Sequence, residues 1–246
     1  MQATNMPRQP FAVTLATTRD DVRAAQRLRW QVFAEELGAR LDTLEAGLDV
    51  DRFDDFCAHL LLRETASGRV VGTYRMLTAA QARRAGSFYS ETEFHLTRVL
   101  ALGSGLVEVG RACVAPEHRR GAAIAALWGG LLRWLGDVGA TTVIGCTSIS
   151  LAEGGAPVAA LCRRLRREHL GPPELRVFPR RPLPLHRPPV EDEAPMPPLL
   201  KAYLRLGAFV CGDPAWDPDF DCADLLVLLP LARMSRRHAA HLLRAA

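Results

Sequence analysis

The sequence predicts an α/β protein in which helices flank a mixed central sheet. Short apolar segments rich in β-branched residues alternate with amphipathic segments of helical spacing, which is typical of that class. The chain has 246 residues, of which 48% are hydrophobic, and this is enough for one sizeable core. No internal repeat or second core is recognisable, so we expect a single domain over residues 1–246.

The first predicted element is an amphipathic helix over residues 19–37. Thr18 followed three residues later by Asp21 has the form of a capping box. Apolar residues then recur at helical spacing, and Gly38 is well placed to end the helix.

The predicted strands are apolar runs bounded by turn residues. Ser67 and Gly68 form a turn signal between two of them, which indicates a hairpin. In chain order the predicted strands are residues 59–64, 69–77, 106–114, 141–148 and 225–229.

Between and after these strands the sequence predicts further helices and one long irregular segment. The helices are residues 124–136, 157–170 and 198–207, with a basic C-terminal helix over residues 231–246. Residues 171–198 carry many prolines and are predicted to form a surface loop or extended arm.

Arginine dominates the positive charge of the chain. The net charge is +4, and Lys201 is the only lysine. Arginine binds carboxylates and phosphates with a planar, bidentate guanidinium group, so the arginines could bind an acidic partner, a phosphate or an anionic membrane. Alternatively, the high arginine content reflects a GC-rich genome that favours arginine codons. Nucleic acid is not an expected partner, because aromatic residues are not interleaved with the basic ones.

The cysteines indicate a reducing compartment. The six cysteines form no C-x-x-C pair and mostly lie in apolar runs, so we expect neither disulfides nor a metal site. The N-terminus lacks the apolar region of a signal peptide. The longest apolar stretch, residues 122–136, contains Arg133 and is too short to span a bilayer. We therefore expect a cytoplasmic protein, either soluble or peripherally attached to a membrane.

A strand that leads through a basic turn into a helix is the main candidate for chemistry. Residues 108–114 form the strand, and the helix opens at about Ala122. A helix N-terminus offers free N–H groups and a positive dipole to phosphate, and Arg119 and Arg120 add charge. The alternative is an ordinary strand-to-helix turn.

This segment resembles the acyl-carrier-binding segment of the GNAT superfamily of N-acyltransferases. The superfamily turn reads Arg/Gln-x-x-Gly-x-Gly/Ala, and residues 120–125 keep the arginine and the final small residue. Ala123 stands where glycine is expected. Because the pyrophosphate of coenzyme A needs close backbone approach, this departure favours acyl carrier protein, which presents a single phosphodiester.

Further segments resemble two groups of GNAT-like enzymes. Residues 28–38, 49–54, 74–75 and 108–111 resemble the acyl-homoserine-lactone synthases. The resemblance is closer to the bacterial L-ornithine Nα-acyltransferases of ornithine-lipid synthesis, which share the E-V-G-R-x-C-V-x-P run and the run over residues 198–220. The likeness covers roughly residues 20–230.

The resemblance implies a reaction in which a 3-hydroxyacyl carrier protein and ornithine give a lyso-ornithine lipid. It implies a GNAT-like fold, direct attack in a ternary complex and no permanently bound cofactor, with acyl-CoA as a possible donor. The alternatives are acylation of glycine, glutamine or lysine, acyl-homoserine-lactone synthesis, or a non-catalytic module that holds the carrier or a lipid.

Each step of this reaction requires a protein group with a particular chemical role. Glu108 is the candidate general base for the attacking amine, and the alternative is a structural carboxylate paired with Arg111. Tyr203 is the candidate acid for the leaving thiolate, although a tyrosine on an amphipathic helix is often simply core. The carrier's thioester and phosphopantetheine would contact backbone or side chains of the strand, turn and helix start: Ala112, Cys113, Val114, Arg119, Arg120, Gly121, Ala122 and Ala123.

The charges of ornithine also need partners. The candidates for its carboxylate are Arg29, Arg75 and Arg111. The candidates for its side-chain ammonium are the acids of an Asp-dense stretch, Asp49, Asp51 and Asp54, which could instead be a solvated loop. Phe33 is expected to line the cleft. Four arginines in the C-terminal tail suggest contact with an anionic membrane, or a helix packed on its own domain.

Overall fold

An eight-stranded mixed sheet forms the centre of the fold. The computed structural model describes residues 9–43, 45–119, 121–184 and 195–244. The strand order in the sheet is β1-β2-β3-β5-β6-β10-β8, with β9 paired to β10, while β4 and β7 form a separate ladder. The strands are β1 (Phe11–Leu15), β2 (Ala58–Glu64), β3 (Val70–Thr78), β4 (Phe94–His95), β5 (Leu106–Val114), β6 (Thr142–Ser150), β7 (Phe178–Pro179), β8 (Phe209–Val210), β9 (Ala215–Asp217) and β10 (Cys222–Pro230).

Helices cover both faces of the sheet. They are α1 (Arg19–Trp30), α2 (Ala79–Ala85), α3 (Thr97–Leu100), α4 (Ala122–Asp137), α5 (Gly155–Glu168), α6 (Pro198–Arg205) and α7 (Arg236–Leu243). One hydrophobic cluster contains residues of α1, α4, α5 and α6, and the other contains residues of α2 and α3. Successive strand residues enter different clusters, such as Met76 and Leu77 of β3, because their side chains point to opposite faces of the sheet. The α/β prediction with a mixed sheet is confirmed.

The first helix begins as predicted but changes type before it ends. Thr18 and Asp21 form the reciprocal hydrogen bonds of a capping box. Gln31–Glu36 is then a π-helix, in which the Leu37 N–H donates to the Val32 carbonyl at 3.1 Å. The prediction of one regular helix over residues 19–37 was therefore wrong in its last third.

Several short elements escaped the sequence analysis. The strand β1 has five residues and lies at the edge of the sheet, and α2 has only seven residues. Short elements carry little periodicity, so their signal is weak. Of the predicted irregular segment 171–198, residues 185–194 lie outside the described range.

The C-terminal tail packs on the domain. It contains a 3₁₀ turn, Leu231–Arg233, followed by α7, which contacts α4. Leu231, Met234 and Leu242 pack against the larger hydrophobic cluster. None of the helices in the described ranges combines the length and the hydropathy needed to cross a bilayer.

The two central parallel strands separate halfway along their length. The parallel pairing of β5 with β6 covers only three residue pairs and ends at Glu108 and Ile144. An added Cβ at Gly145 would lie 2.3 Å from the Val109 carbonyl oxygen, so only glycine fits at this point. Beyond it the sheet opens, while β10 stays paired with β6 along its whole length.

Candidate active site

A cavity of about 330 Å³ fills the opening between β5 and β6. Its walls include residues of the two separated strands, of the π-helix, of α6 and of β10. Among the residues singled out from sequence, those that line it are Phe33, Arg75, Glu108, Arg111, Ala112 and Tyr203. Candidate residues from widely separated segments of the sequence therefore meet in one cavity wall.

Glu108 lies at the point where the strands separate. Its carboxylate accepts the N–H of Tyr89 at 2.6 Å, the N–H of Ser90 at 2.8 Å and the Ser90 hydroxyl. Burial raises the pKa of Glu108 above its ordinary value, although these hydrogen bonds and Arg75 oppose the rise. The alternative of a pair with Arg111 is not observed. A buried carboxyl of raised pKa that faces a cavity is suited to accept a proton.

Arg111 also lines the cavity, and its backbone has a strained conformation. Its φ of 45° is rare for a residue with a side chain. Its guanidinium lies between two aromatic rings, 5.1 Å from the centroid of Tyr89 and 4.9 Å from that of Phe220. Its Nε lies 3.3 Å from the Asp49 carboxylate, and its Nη2 lies 3.6 Å from that of Asp51. The side chain is 14% exposed, so a cavity ligand can reach it.

Arg29 and the Asp-dense stretch form a buried charge network behind the cavity wall. Arg29 Nε lies 2.8 Å from Asp49, and its Nη2 lies 2.8 Å from Asp54. Arg75 Nη1 lies 2.6 Å from Asp51 and 3.0 Å from Asp54. Burial would raise the pKa of Asp54, but Arg29 and Arg75 hold it well below its ordinary value.

Four of the predicted substrate contacts, Arg29, Asp49, Asp51 and Asp54, belong to this network. Arg29 is fully buried, and neither it nor the three aspartates line the cavity. Each of the three aspartates lies within 3.6 Å of two arginines, so its negative charge is already balanced. The stretch is also not a solvated loop, since Asp49 and Asp54 are buried.

Two tyrosines meet beside the cavity. The hydroxyls of Tyr203 and Tyr74 lie 3.2 Å apart, and the Tyr203 ring packs against Trp128 at 5.0 Å between centroids. Burial raises the pKa of Tyr203 to about 12. Both proposed roles of Tyr203, in the core and toward the cavity, are therefore compatible with its position.

The strand, turn and helix start are only partly exposed to the cavity. Ala112 lines it, whereas Cys113 and Val114 are buried and paired with β3. Arg119 forms two hydrogen bonds of 2.6 Å with the Glu36 carboxylate, so its charge is already matched. The N-terminus of α4, from Gly121 through Ala122 and Ala123, has no side-chain cap. Arg120 lies outside the described residues.

A second group of acids was missed by the sequence analysis. Asp217 and Asp224 line the cavity, and Glu93 lies beside Asp224. Burial and the Asp224 carboxylate raise the pKa of Glu93 to about 10, and burial also raises the pKa of Asp217. One signal was available, because Asp224 interrupts an otherwise apolar strand. A charged residue in a buried strand indicates a functional or paired group.

Comparison with known proteins identifies relatives along most of the chain. An acetyltransferase (GNAT) domain matches residues 28–129. An L-ornithine N(alpha)-acyltransferase of Brucella abortus is 36% identical, with 93% of this chain and 87% of the relative covered. The same-named protein of Rhodobacter capsulatus is 37% identical, with 93% of both chains covered.

A solved structure of similar fold is a CoA-dependent acyl-homoserine lactone synthase, BjaI, with MTA. It is 15% identical, with a TM-score of 0.57, and the match covers 94% of this chain and 87% of that chain. At this identity the likeness concerns the fold alone.

Proposed function

Because the chain belongs to the L-ornithine N(alpha)-acyltransferase family, we propose that it acylates the α-amine of ornithine. The chain is an acyltransferase with a GNAT domain. The donor in this proposal is a 3-hydroxyacyl carrier protein, and the product is a lyso-ornithine lipid. The observation that carries the proposal is the buried Glu108 carboxyl, which lines the same cavity as Arg111.

Glu108 acts as the general base. The ammonium form of the amine has no lone pair, so Glu108 accepts its proton directly or through a water molecule. The neutral amine attacks the thioester carbonyl, the C–N bond forms, and the tetrahedral intermediate collapses with loss of the carrier thiolate. The raised pKa of Glu108 supports this role, because a stronger base takes the proton more readily.

Backbone groups of β5 stabilise the oxyanion. Of the β5 residues expected to contact the carrier's thioester, Cys113 and Val114 pair with β3, whereas Ala112 lies in a bulge of that ladder. The Ala112 N–H is therefore the donor in our mechanism. Tyr203 donates a hydrogen bond to the leaving thiolate, and with a pKa near 12 its hydroxyl keeps its own proton.

The carboxylate of the acceptor binds Arg111. Of the three candidate arginines, Arg29 is fully buried and Arg75 forms close ion pairs with two aspartates. Arg111 has longer ion-pair distances of 3.3 and 3.6 Å and lines the cavity. Phe33 forms an apolar wall, with its ring 5.8 Å from that of Phe220.

The donor arm enters near the start of α4. The uncapped helix N-terminus supports phosphate binding there, and Ala123 in place of glycine supports acyl carrier protein over acyl-CoA. Exposed arginines on α5 suit an acidic carrier. The exposed Arg236 and Arg237 of α7 support peripheral contact with the anionic inner face of the cytoplasmic membrane.

The test is acyl transfer by the purified protein from labelled 3-hydroxyacyl carrier protein to ornithine, lysine, glycine and glutamine. We expect an amide-linked, hydrophobic product with ornithine and little with glycine or glutamine. Acyl-CoA, assayed in parallel, should be the poorer donor. Carrier binding without transfer to any amine would contradict the proposal and favour a binding module.

A pair of variants tests the base. Glu108→Gln should lower kcat by about 10²- to 10⁴-fold, the usual contribution of a general base. Glu117→Gln is the matched control, because Glu117 is exposed and contacts Arg69 outside the cavity. Unchanged turnover in Glu108→Gln would remove Glu108 from the mechanism.

A further inference from the structure

We propose that Glu93, Asp217 and Asp224, here called the second acidic group, bind the side-chain ammonium of a diamino acid acceptor. The inference rests on the proposed function and specifies how the enzyme selects its acceptor. It replaces the expectation that Asp49, Asp51 and Asp54 perform this task.

The members of the second acidic group share one small space. One oxygen each of Glu93 and Asp224 and the Cys146 sulfur lie within 4.8 Å of one another, and the same holds for Asp217, Asp224 and Cys222. Asp224 belongs to both sets and is only 3% exposed, yet it lines the cavity. The acids therefore converge at the β10 wall of the cavity.

Within the described residues these acids lack the cationic partner that a buried carboxylate normally has. Asp224 accepts a hydrogen bond from the Cys222 thiol at 3.6 Å and is hydrogen-bonded to the Glu93 carboxyl, and neither contact brings a positive charge. The Glu93 carboxyl contacts Asp224 and Tyr89, but it has no cationic partner among the described residues. Asp217 accepts two backbone N–H groups, but no ion pair reaches any of the three acids within the described residues. Buried carboxylates in this state require a cation or a proton.

Arg111 influences this group but forms no ion pair with it. Arg111 is close enough to lower the pKa of Asp217, but its ion pairs are with Asp49 and Asp51. By contrast, Asp49, Asp51 and Asp54 lie among three arginines. An arriving ammonium, with three N–H donors and one charge, is favoured at the second acidic group and disfavoured among the arginines.

The position of the second acidic group relative to Glu108 suits a diamino acid. The Ser90 hydroxyl donates to Glu108 and accepts from the Cys146 thiol at 3.5 Å. The second acidic group is therefore separated from the proposed base by only two side chains. An α-amine at Glu108, a carboxylate at Arg111 and a side-chain ammonium at Asp224 account for all three charges of the acceptor.

A protein-bound metal ion fits the same place less well. Its sulfur ligands would need to be thiolates, but burial raises the pKa of Cys146 well above its ordinary value. An ammonium needs only the oxygens. The difference is testable, because a metal would be removed by a chelator.

The experiment compares ornithine with norvaline, which lacks the side-chain amine, in the wild-type enzyme and in Asp224→Asn. The wild type should strongly prefer ornithine. In Asp224→Asn the KM for ornithine should rise roughly 30-fold or more, the effect of losing one partner of a buried charge pair, while values for norvaline change little. Asp217→Asn should act in the same direction, and Asp20→Asn, on an exposed face of α1, is the control.

A thermal unfolding measurement shows that the variant is folded and reports binding directly. Ornithine should raise the Tm of the wild type and leave that of Asp224→Asn nearly unchanged. Without ligand, Asp224→Asn should melt at a higher temperature than the wild type, since one of the crowded carboxylates is gone.

The outcomes separate this inference from the proposed function. If the wild type acylates neither ornithine nor norvaline, the proposed function fails. If it acylates ornithine and both variants keep the ornithine-to-norvaline ratio, the second acidic group is not the ammonium site. Activity lost with EDTA and restored by a divalent ion would also overturn the inference, in favour of a metal site.

Discussion

Replacing Arg29 with methionine tests whether this arginine holds the fold or the substrate. Methionine keeps much of the volume and removes the charge. Arg29 is fully buried and forms ion pairs of 2.8 Å with both Asp49 and Asp54. If it is structural, as its position indicates, its loss must appear as a loss of stability.

The expected loss of unfolding free energy depends on the ion pairs that Asp49 and Asp54 retain in the variant. Breaking a buried ion pair by removing one partner costs about 3–5 kcal/mol. Asp54 retains Arg75 at 3.0 Å, and Asp49 retains Arg111 at 3.3 Å, so the lower end of that range applies. With an m-value of about 2 kcal/mol/M in urea, a loss of about 3 kcal/mol lowers the unfolding midpoint by about 1.5 M.

The stability of the same variant should depend less on acid pH than that of the wild type. Asp54 has a folded pKa below its ordinary value of 3.8, so it stabilises the fold above that value and less as the pH falls. Without Arg29 its pKa rises, and part of that stabilisation at neutral pH is lost.

The assay is urea unfolding followed by tryptophan fluorescence, with acylation kinetics on the same preparations. Arg27→Met is the matched control, because Arg27 is exposed on the same helix, and it should change stability by less than about 0.5 kcal/mol. An unchanged midpoint for Arg29→Met together with a raised KM for ornithine would refute our reasoning and restore Arg29 as a substrate ligand.

Three further predictions concern the cavity. Glu93 has its pKa raised to about 10 by burial and Asp224, so folding takes up a proton; stability is greatest below pH 4.5 and falls as the pH rises. Glu93→Gln should flatten that fall between about pH 5 and pH 9 in urea titrations, and an unchanged slope would contradict it. Tyr203→Phe should lower kcat about tenfold with little change in KM, as expected for one lost hydrogen bond in the transition state. Gly145→Ala should lower the Tm by an amount equivalent to about 1–3 kcal/mol and reduce kcat, because the added Cβ would lie 2.3 Å from the Val109 carbonyl oxygen. A variant with the Tm of the wild type would show that the two strands can move apart without loss of stability.

Local patterns were sufficient for the main strands and helices. The hairpin of β2 and β3 and the long strand β5 are bounded by turn residues and follow from composition alone. The capping box at Thr18 depends on residues three apart, so its hydrogen bonds could also be predicted. The change to a π-helix after Trp30 has no such local signature.

Charge pairing over long distances could not be predicted. Three arginines from α1, β3 and β5 converge on the stretch around Asp51, and nothing in that stretch reveals their approach. The sequence showed that this stretch is rich in aspartate, but not that each aspartate forms ion pairs with arginines from other elements. Glu108 likewise finds its donors at Tyr89 and Ser90, in a different part of the chain.

The position of β10 has a consequence for the synthesis of the protein. It pairs with β6 along nine residues, although about 70 residues separate the two strands in the chain. A growing chain can assemble the sheet from β1 to β5 first, because N-terminal segments leave the ribosome first. The strand β10, which carries Asp224, is synthesised after every other described strand. Chains stopped before Cys222 would therefore be inactive, and would expose the apolar edge of β6 to aggregation.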